Sequence, residues 1–140
     1  MERAEEIYQR IIKEGQSAID NFIFDRKSEE LFLDFKRSAD RGNGARLHDN
    51  DRNNLAKAIS GFGNSEGGVI VWGVDCSSDF DGSDVARAKH PIINVKRFVS
   101  WLNGSISGLT VPPHQGVQNH ALVISGGDNG FAITLIPQSN

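Results

Sequence analysis

Apolar residues recur through the first two dozen positions at close to helical spacing. Ile7, Ile11, Ala18, Ile19, Phe22 and Ile23 stand with charges between them. The pattern predicts an amphipathic helix over residues 2–24, weakened at Gly15, whose apolar stripe either packs on the rest of the chain or awaits a partner. The period then shortens. Leu31, Leu33 and Phe35 alternate with Phe32, Asp34 and Lys36, which predicts a strand with the first three on one face. A polar connection over 38–50 follows, around Gly42-Asn43-Gly44, longer than most and of a length associated with function or mobility. Helical spacing returns at Leu55, Ala58, Ile59 and Phe62, in a helix starting near Asp51 with Asp49, Asn50 or Asp51 as its cap.

Beyond the turn at 64–68, the apolar run Val69-Ile70-Val71-Trp72-Gly73-Val74 predicts a central strand covered on both faces and ending at Asp75. A second polar loop is expected over 76–91, then a helix over 94–107 with Phe98, Val99, Leu102 and Ile106 inward. Two strands, 117–125 and 130–136, flank the turn Gly126-Gly127-Asp128-Asn129. The order is helix, strand, helix, strand, helix, strand, strand. It predicts an α/β (α+β) fold: one domain, a mixed β-sheet packed with helices, preceded by the N-terminal amphipathic helix.

Composition narrows the classes. The 140 residues are 38% hydrophobic and 24% charged, ordinary for a globular domain. No apolar run reaches the roughly 18 to 20 residues that cross a bilayer, so no membrane partner is expected. The acidic start lacks the apolar stretch of a secretory signal. Cys76 alone builds neither a disulfide framework nor a structural zinc site, which sets a reducing, cytoplasmic location as the expectation.

The net charge of −3 conceals an uneven distribution. Acids dominate the first 35 positions. Then Lys36, Arg37, Arg41, Arg46, Arg52 and Lys57 outnumber Asp40, Asp49 and Asp51, and a second basic group is Arg87, Lys89, Lys96 and Arg97. Such patches suit phosphates, although on charge alone they read first as a solvated mixed-charge surface.

The candidates for chemistry are Glu29, Asp34, Lys36 and Asp75. Asp34 and Lys36 share the less aliphatic face of the first strand, Glu29 lies just upstream, and Asp75 stands where the buried strand leaves the sheet. Converging carboxylates repel unless a cation relieves them, and Mg²⁺ or Mn²⁺ prefers oxygen ligands. Glu29, Asp34 and Asp75 are thus the candidate metal ligands of a cation-assisted phosphodiester-cleaving site, with Lys36 opposite the developing phosphate charge. The bland alternative leaves Asp34 and Lys36 as a cross-strand pair and Asp75 as the start of a turn.

Two segments carry a family likeness. Glu29-Glu30-Leu31-Phe32-Leu33-Asp34-Phe35-Lys36 resembles the E-x-x-x-x-E-F-K opening of the Schlafen-type, Alba-like domain. The stretch Ile59-Ser60-Gly61-Phe62-Gly63-Asn64-Ser65-Glu66-Gly67-Gly68-Val69-Ile70-Val71-Trp72-Gly73-Val74-Asp75 is similar to its centre. Asp81-Gly82 and Ile133-Thr134-Leu135-Ile136-Pro137-Gln138-Ser139 fit its later turn and closing strand. The resemblance implies a helical extension over 1–28 and the Alba-like domain over 29–140, within the N-terminal part of a longer bacterial protein. It implies a DNA-binding module, or, as in the vertebrate Schlafen proteins, an endoribonuclease core whose three acids fall on Glu29, Asp34 and Asp75. Two departures stand out: Asp34 replaces a glutamate, shortening its reach by a methylene, and Gly61 and Gly63 stand where alanine is usual.

The expected partner is therefore RNA or DNA, bound by Lys36, Arg37, Arg41, Arg46 and Arg52, with self-association as a homodimer through the N-terminal helix. The alternative is a non-catalytic regulatory or interaction module. Gly67-Gly68 follows a helix and precedes a strand, the reverse of a phosphate-cradling loop, so its role is read as structural. His48, His90, His114 and His120 lack ligand spacing. Asp79 to Asp84 reads as a turn rather than an EF-hand loop. Trp72 reads as core, and Trp101 as core or a stacking platform for a base.

Overall fold

The computed structural model describes residues 3–29, 31–109, 114–124 and 126–139; Glu2, Glu30, Ser125 and Asn140 lie outside them. The N-terminal stripe forms two helices, α1 (Arg3–Glu14) and α2 (Gln16–Phe24). The break falls at Gly15, whose φ of 65° is a conformation that glycine adopts without Cβ strain.

Strands β1 (Leu33–Lys36), β2 (Gly68–Trp72), β5 (Gln118–Val123) and β6 (Gly130–Ile136) form one sheet in the order β1-β2-β6-β5. β1 runs parallel to β2, Leu33 opposite Val69 and Lys36 opposite Trp72, while β6 is antiparallel to both β2 and β5. The parallel pair requires a crossover, supplied by α3 (Asp49–Gly63). Helix α4 (Val95–Ser105) packs beside β5 and β6.

Alternation along β2 sorts the core into two halves. Val69 and Val71 join Leu33, Phe35 and Ile133 against Ile7, Tyr8, Ile11, Ile19 and Phe22 of α1 and α2. Ile70 and Trp72 join Ala132 and Ile136 against Leu55 and Ile59 of α3 and Phe98 and Leu102 of α4. The sheet is thus covered on both faces, as the unbroken apolar run of β2 predicts. The stripe of α1 (Ala4, Ile7, Tyr8 and Ile11) is buried on the chain's own sheet.

Trp72 is fully buried and its Nε1–H donates to Thr134 Oγ (3.0 Å). Thr134 donates to Asn119 (2.6 Å), and Asn119 to Asn103 (2.9 Å), carrying the buried polar groups out to the surface.

Four expectations are corrected. Residues 76–91 are no loop: β3 (Val74–Ser78) and β4 (Asp84–Lys89) pair as a separate two-stranded sheet, reached where Gly73 turns the chain at φ 106°. The single mixed sheet becomes two. Leu31 precedes β1 and is 63% exposed, apart from Leu33 and Phe35 on the buried face. Helix α3 is capped by none of Asp49, Asn50 or Asp51: His48 Nδ1 accepts from Asn50 N–H (3.0 Å).

Candidate functional site

β1 is an edge strand, so its outer backbone groups need partners other than a neighbouring strand. Glu29 supplies one, its carboxylate accepting from Phe35 N–H at 3.1 Å. Its own N–H donates to Asp84 O, and Ala86 N–H donates to Lys27 O, which ties the approach to β1 onto β4. The geometry gives Glu29 a structural task at the sheet edge.

Asp34 and Lys36 project from the opposite face of β1, toward α3, as the alternation predicts. Their charges meet at 3.3 Å. Burial raises the Asp34 pKa above the ordinary carboxylate range, and the Lys36 ammonium opposes that shift without cancelling it. Asp75, on β3, lies 4.0 Å from His90. Between the strands sits Cys76, whose thiol burial pushes up to about 12, with the negative charges of Asp34, Asp84 and Asp75 adding to the effect. The acids therefore share a neighbourhood. Among the described residues, however, no three His, Cys, Asp or Glu side chains are gathered so that they could hold one metal ion. Glu29 faces a backbone amide, Asp34 a lysine and Asp75 a histidine.

A groove of about 400 Å³ opens beside Asp34, between β1 and α3. Leu31, Asp34 and Lys36 form one wall; Asn54, Lys57, Ala58, Gly61, Phe62 and Ser65 form the other. The helical residues Asn54, Lys57, Ala58, Gly61 and Phe62 recur at i, i+3, i+4, i+7 and i+8, a second stripe beside the core stripe of Leu55 and Ile59, and Ser65 follows in the turn after α3. That spacing is the signal that could have found them. Gly68 seats this wall, since a Cβ there would overlap the Phe62 ring. Gly67, at φ 86°, brings the chain so near Ile136 O that a Cβ would stand 2.7 Å from it. The glycine pair is structural, as its order implies. Gly61 is different: a Cβ would meet nothing within 4 Å, although glycine inside a helix costs roughly 1 kcal/mol relative to alanine.

The long connection between β1 and α3 is firmly tied. Asp51, fully buried, accepts from Ser38 Oγ and from Ala39 N–H (2.9 Å). Asp40 accepts from Gly42 N–H (2.9 Å), Ile93 N–H donates to Arg41 O (2.7 Å), and Arg97 donates to Gly42 O (2.7 Å). Asp51, at the start of α3, thereby turns inward, its pKa raised by burial, while half-buried Asp40 is held by the loop's own donors.

The cations stay outside. Arg37 and Lys57 are exposed and make no ion pair among the described residues, and Lys57 joins Lys36 in the groove. Arg41 donates to Pro91 O (3.1 Å), and Arg46 pairs with Asp49 (3.0 Å) where both are well exposed, a contact of little strength. Arg52 lies on the other flank of α3, toward Gly108, away from the groove. In the second basic group, Arg87 pairs with Asp79 (3.4 Å) and Lys89 with Asp20 (2.8 Å), while Arg97 stacks on Trp101 at 4.8 Å.

The chain is similar to a solved structure from Nitrosomonas europaea, the N-terminal domain of a protein named for its relation to the ATP-dependent DNA helicase RecG. The two share 16% identity and a TM-score of 0.48, over 100% of this chain and 76% of that one. No family model and no curated protein matches the chain. No helix among the described residues is long and apolar enough to cross a membrane.

Proposed function

We propose that the chain is a nucleic-acid-binding domain whose β1–α3 face takes the phosphate backbone, in keeping with its resemblance to the Schlafen-type, Alba-like domains. One observation carries this reading. Over residues 33–63 the fold draws Asp51 and Asp40 into backbone contacts and leaves Arg37, Arg41, Arg46 and Lys57 at the surface of a tied loop and helix. An acidic chain thereby acquires a local positive face, which suffices for contacts to phosphates.

Binding rather than cleavage is the function this arrangement supports. The acids that a nuclease would turn on a cation are engaged with protein groups, Glu29 with the Phe35 amide and Asp34 with Lys36. The test is anisotropy of a labelled oligonucleotide at fixed salt. Arg37→Glu with Lys57→Glu should weaken binding by about 30-fold or more, on the order of two lost charge contacts reversed in sign. Arg87→Glu with Lys89→Glu, on the paired hairpin, should change it less than about threefold. Equal losses from both pairs of substitutions, or from neither, would place binding elsewhere.

A further inference from the structure

The β1–α3 groove has a chemistry that phosphate contacts do not require. Its walls are apolar where Leu31, Ala58 and Phe62 line it, and Leu31 is a leucine 63% exposed that contributes little to the core. Polar groups, the Asp34–Lys36 ion pair and the Asn54 amide, line the same space, and Lys57 shares it as a cation with no ion pair among the described residues. Gly61 keeps it open. No neighbouring atom demands a glycine at that place in α3, so the missing side chain leaves room in the groove rather than room for packing.

We infer that the groove receives one unpaired nucleotide of a single-stranded nucleic acid, its base between Leu31 and Phe62 and its phosphate toward Lys57. A base has two flat apolar faces and an edge of donors and acceptors, and it is joined to an anion; the groove presents the complement of each. A base inside a duplex is stacked and paired and enters such a slot only when extruded. The volume, about 400 Å³, lies in the range of small-ligand sites, roughly 300–1,000 Å³. The inference rests on the nucleic-acid reading above and adds to it a preference for single strands.

The experiment compares a labelled 12-nucleotide single strand with its blunt duplex, as DNA and as RNA, across a salt series. The chain should bind the single strand about tenfold or more tightly than the duplex, the scale of one stacked base. Gly61→Leu should bring single-strand affinity down to the duplex level and leave duplex affinity unchanged. Leu31→Ala should lower single-strand affinity alone by several-fold, and Gly61→Ala should largely retain it. Melting curves report the fold: Leu31→Ala should melt near the wild-type temperature, and Gly61→Ala and Gly61→Leu at or somewhat above it, since each replaces a helix-interior glycine where the space is open. A 2-aminopurine in the strand should change its emission on binding to wild type and not to Gly61→Leu. Equal, salt-sensitive binding of single strand and duplex, undiminished in Gly61→Leu, would overturn the slot and leave the phosphate face standing. Absence of salt-sensitive binding to either would overturn both.

Discussion

Between β1 and α3 two carboxylates, Asp51 and Asp40, are taken up by hydrogen bonds to neighbouring groups, and among the described residues only Arg46 finds an acidic partner, Asp49, at the surface; on the β3–β4 hairpin both Arg87 and Lys89 are paired. Asp51 and Asp40 meet Ser38, Ala39 and Gly42, which leaves Arg37 and Lys57 without ion-pair partners among the described residues. On the hairpin, Arg87 meets Asp79 and Lys89 meets Asp20. Two basic stretches that look alike in sequence thus differ in the field they present. What matters for phosphate recognition is where the acids go, more than how many bases a segment contains.

The contrast breaks most severely at Asp51. Asp51→Ala removes the acceptor for Ser38 Oγ and Ala39 N–H in a buried setting, and should cost about 2–3 kcal/mol in urea denaturation. Loosening that frame should also weaken oligonucleotide binding, although the substitution removes a negative charge. Stronger binding would show that net charge, rather than the tied geometry, governs the face.

Next in size is the edge of the sheet. Glu29→Ala frees Phe35 N–H and should cost about 1 kcal/mol, while Glu29→Gln, which keeps an acceptor oxygen, should cost less than half of that. A role at this position confined to metal chemistry would leave the stability of both variants untouched.

The smallest effect sharpens the comparison through pH. Burial raises the Asp34 pKa in the folded chain above the ordinary 3.8. The folded state therefore holds the Asp34 proton more tightly than the unfolded state. Its contribution to stability is present below 3.8 and is lost as the pH rises through the raised value. Asp34→Asn, which does not ionise, should melt slightly above wild type at pH 7, with the difference closing on acidification. A lower melting temperature at pH 7 would mean that the Lys36 pair outweighs the burial of the carboxylate.

Much of the architecture is legible in hydrophobic period alone. Residues 130–136 emerge as β6 with unchanged limits, and Gly15 divides the first helix where its freedom suggests. The β3–β4 hairpin is not legible, because Asp75-Cys76-Ser77-Ser78 has little strand preference, and the contacts of β4 with residues 27–29 join segments far apart in sequence. Alternation correctly sends Asp34 and Lys36 to one face. It misplaces Leu31, since the strand begins only where β2 offers a partner at Val69. The groove's second wall escapes notice because Asn54, Ala58, Gly61 and Ser65 carry no conspicuous chemistry until β1 lies against them. Arg52 shows the converse: its charge is obvious, yet helical phase turns it toward Gly108.

The phosphate-binding face is tested most directly by the affinity of the unaltered chain for a single-stranded oligonucleotide from 50 to 300 mM KCl. Each phosphate neutralised contributes about 0.7 to the slope of log K against log[salt], so contacts from Arg37, Lys57 and one further loop cation predict a slope near −2 or steeper. A slope flatter than about −0.5, on the same scale, would contradict the account.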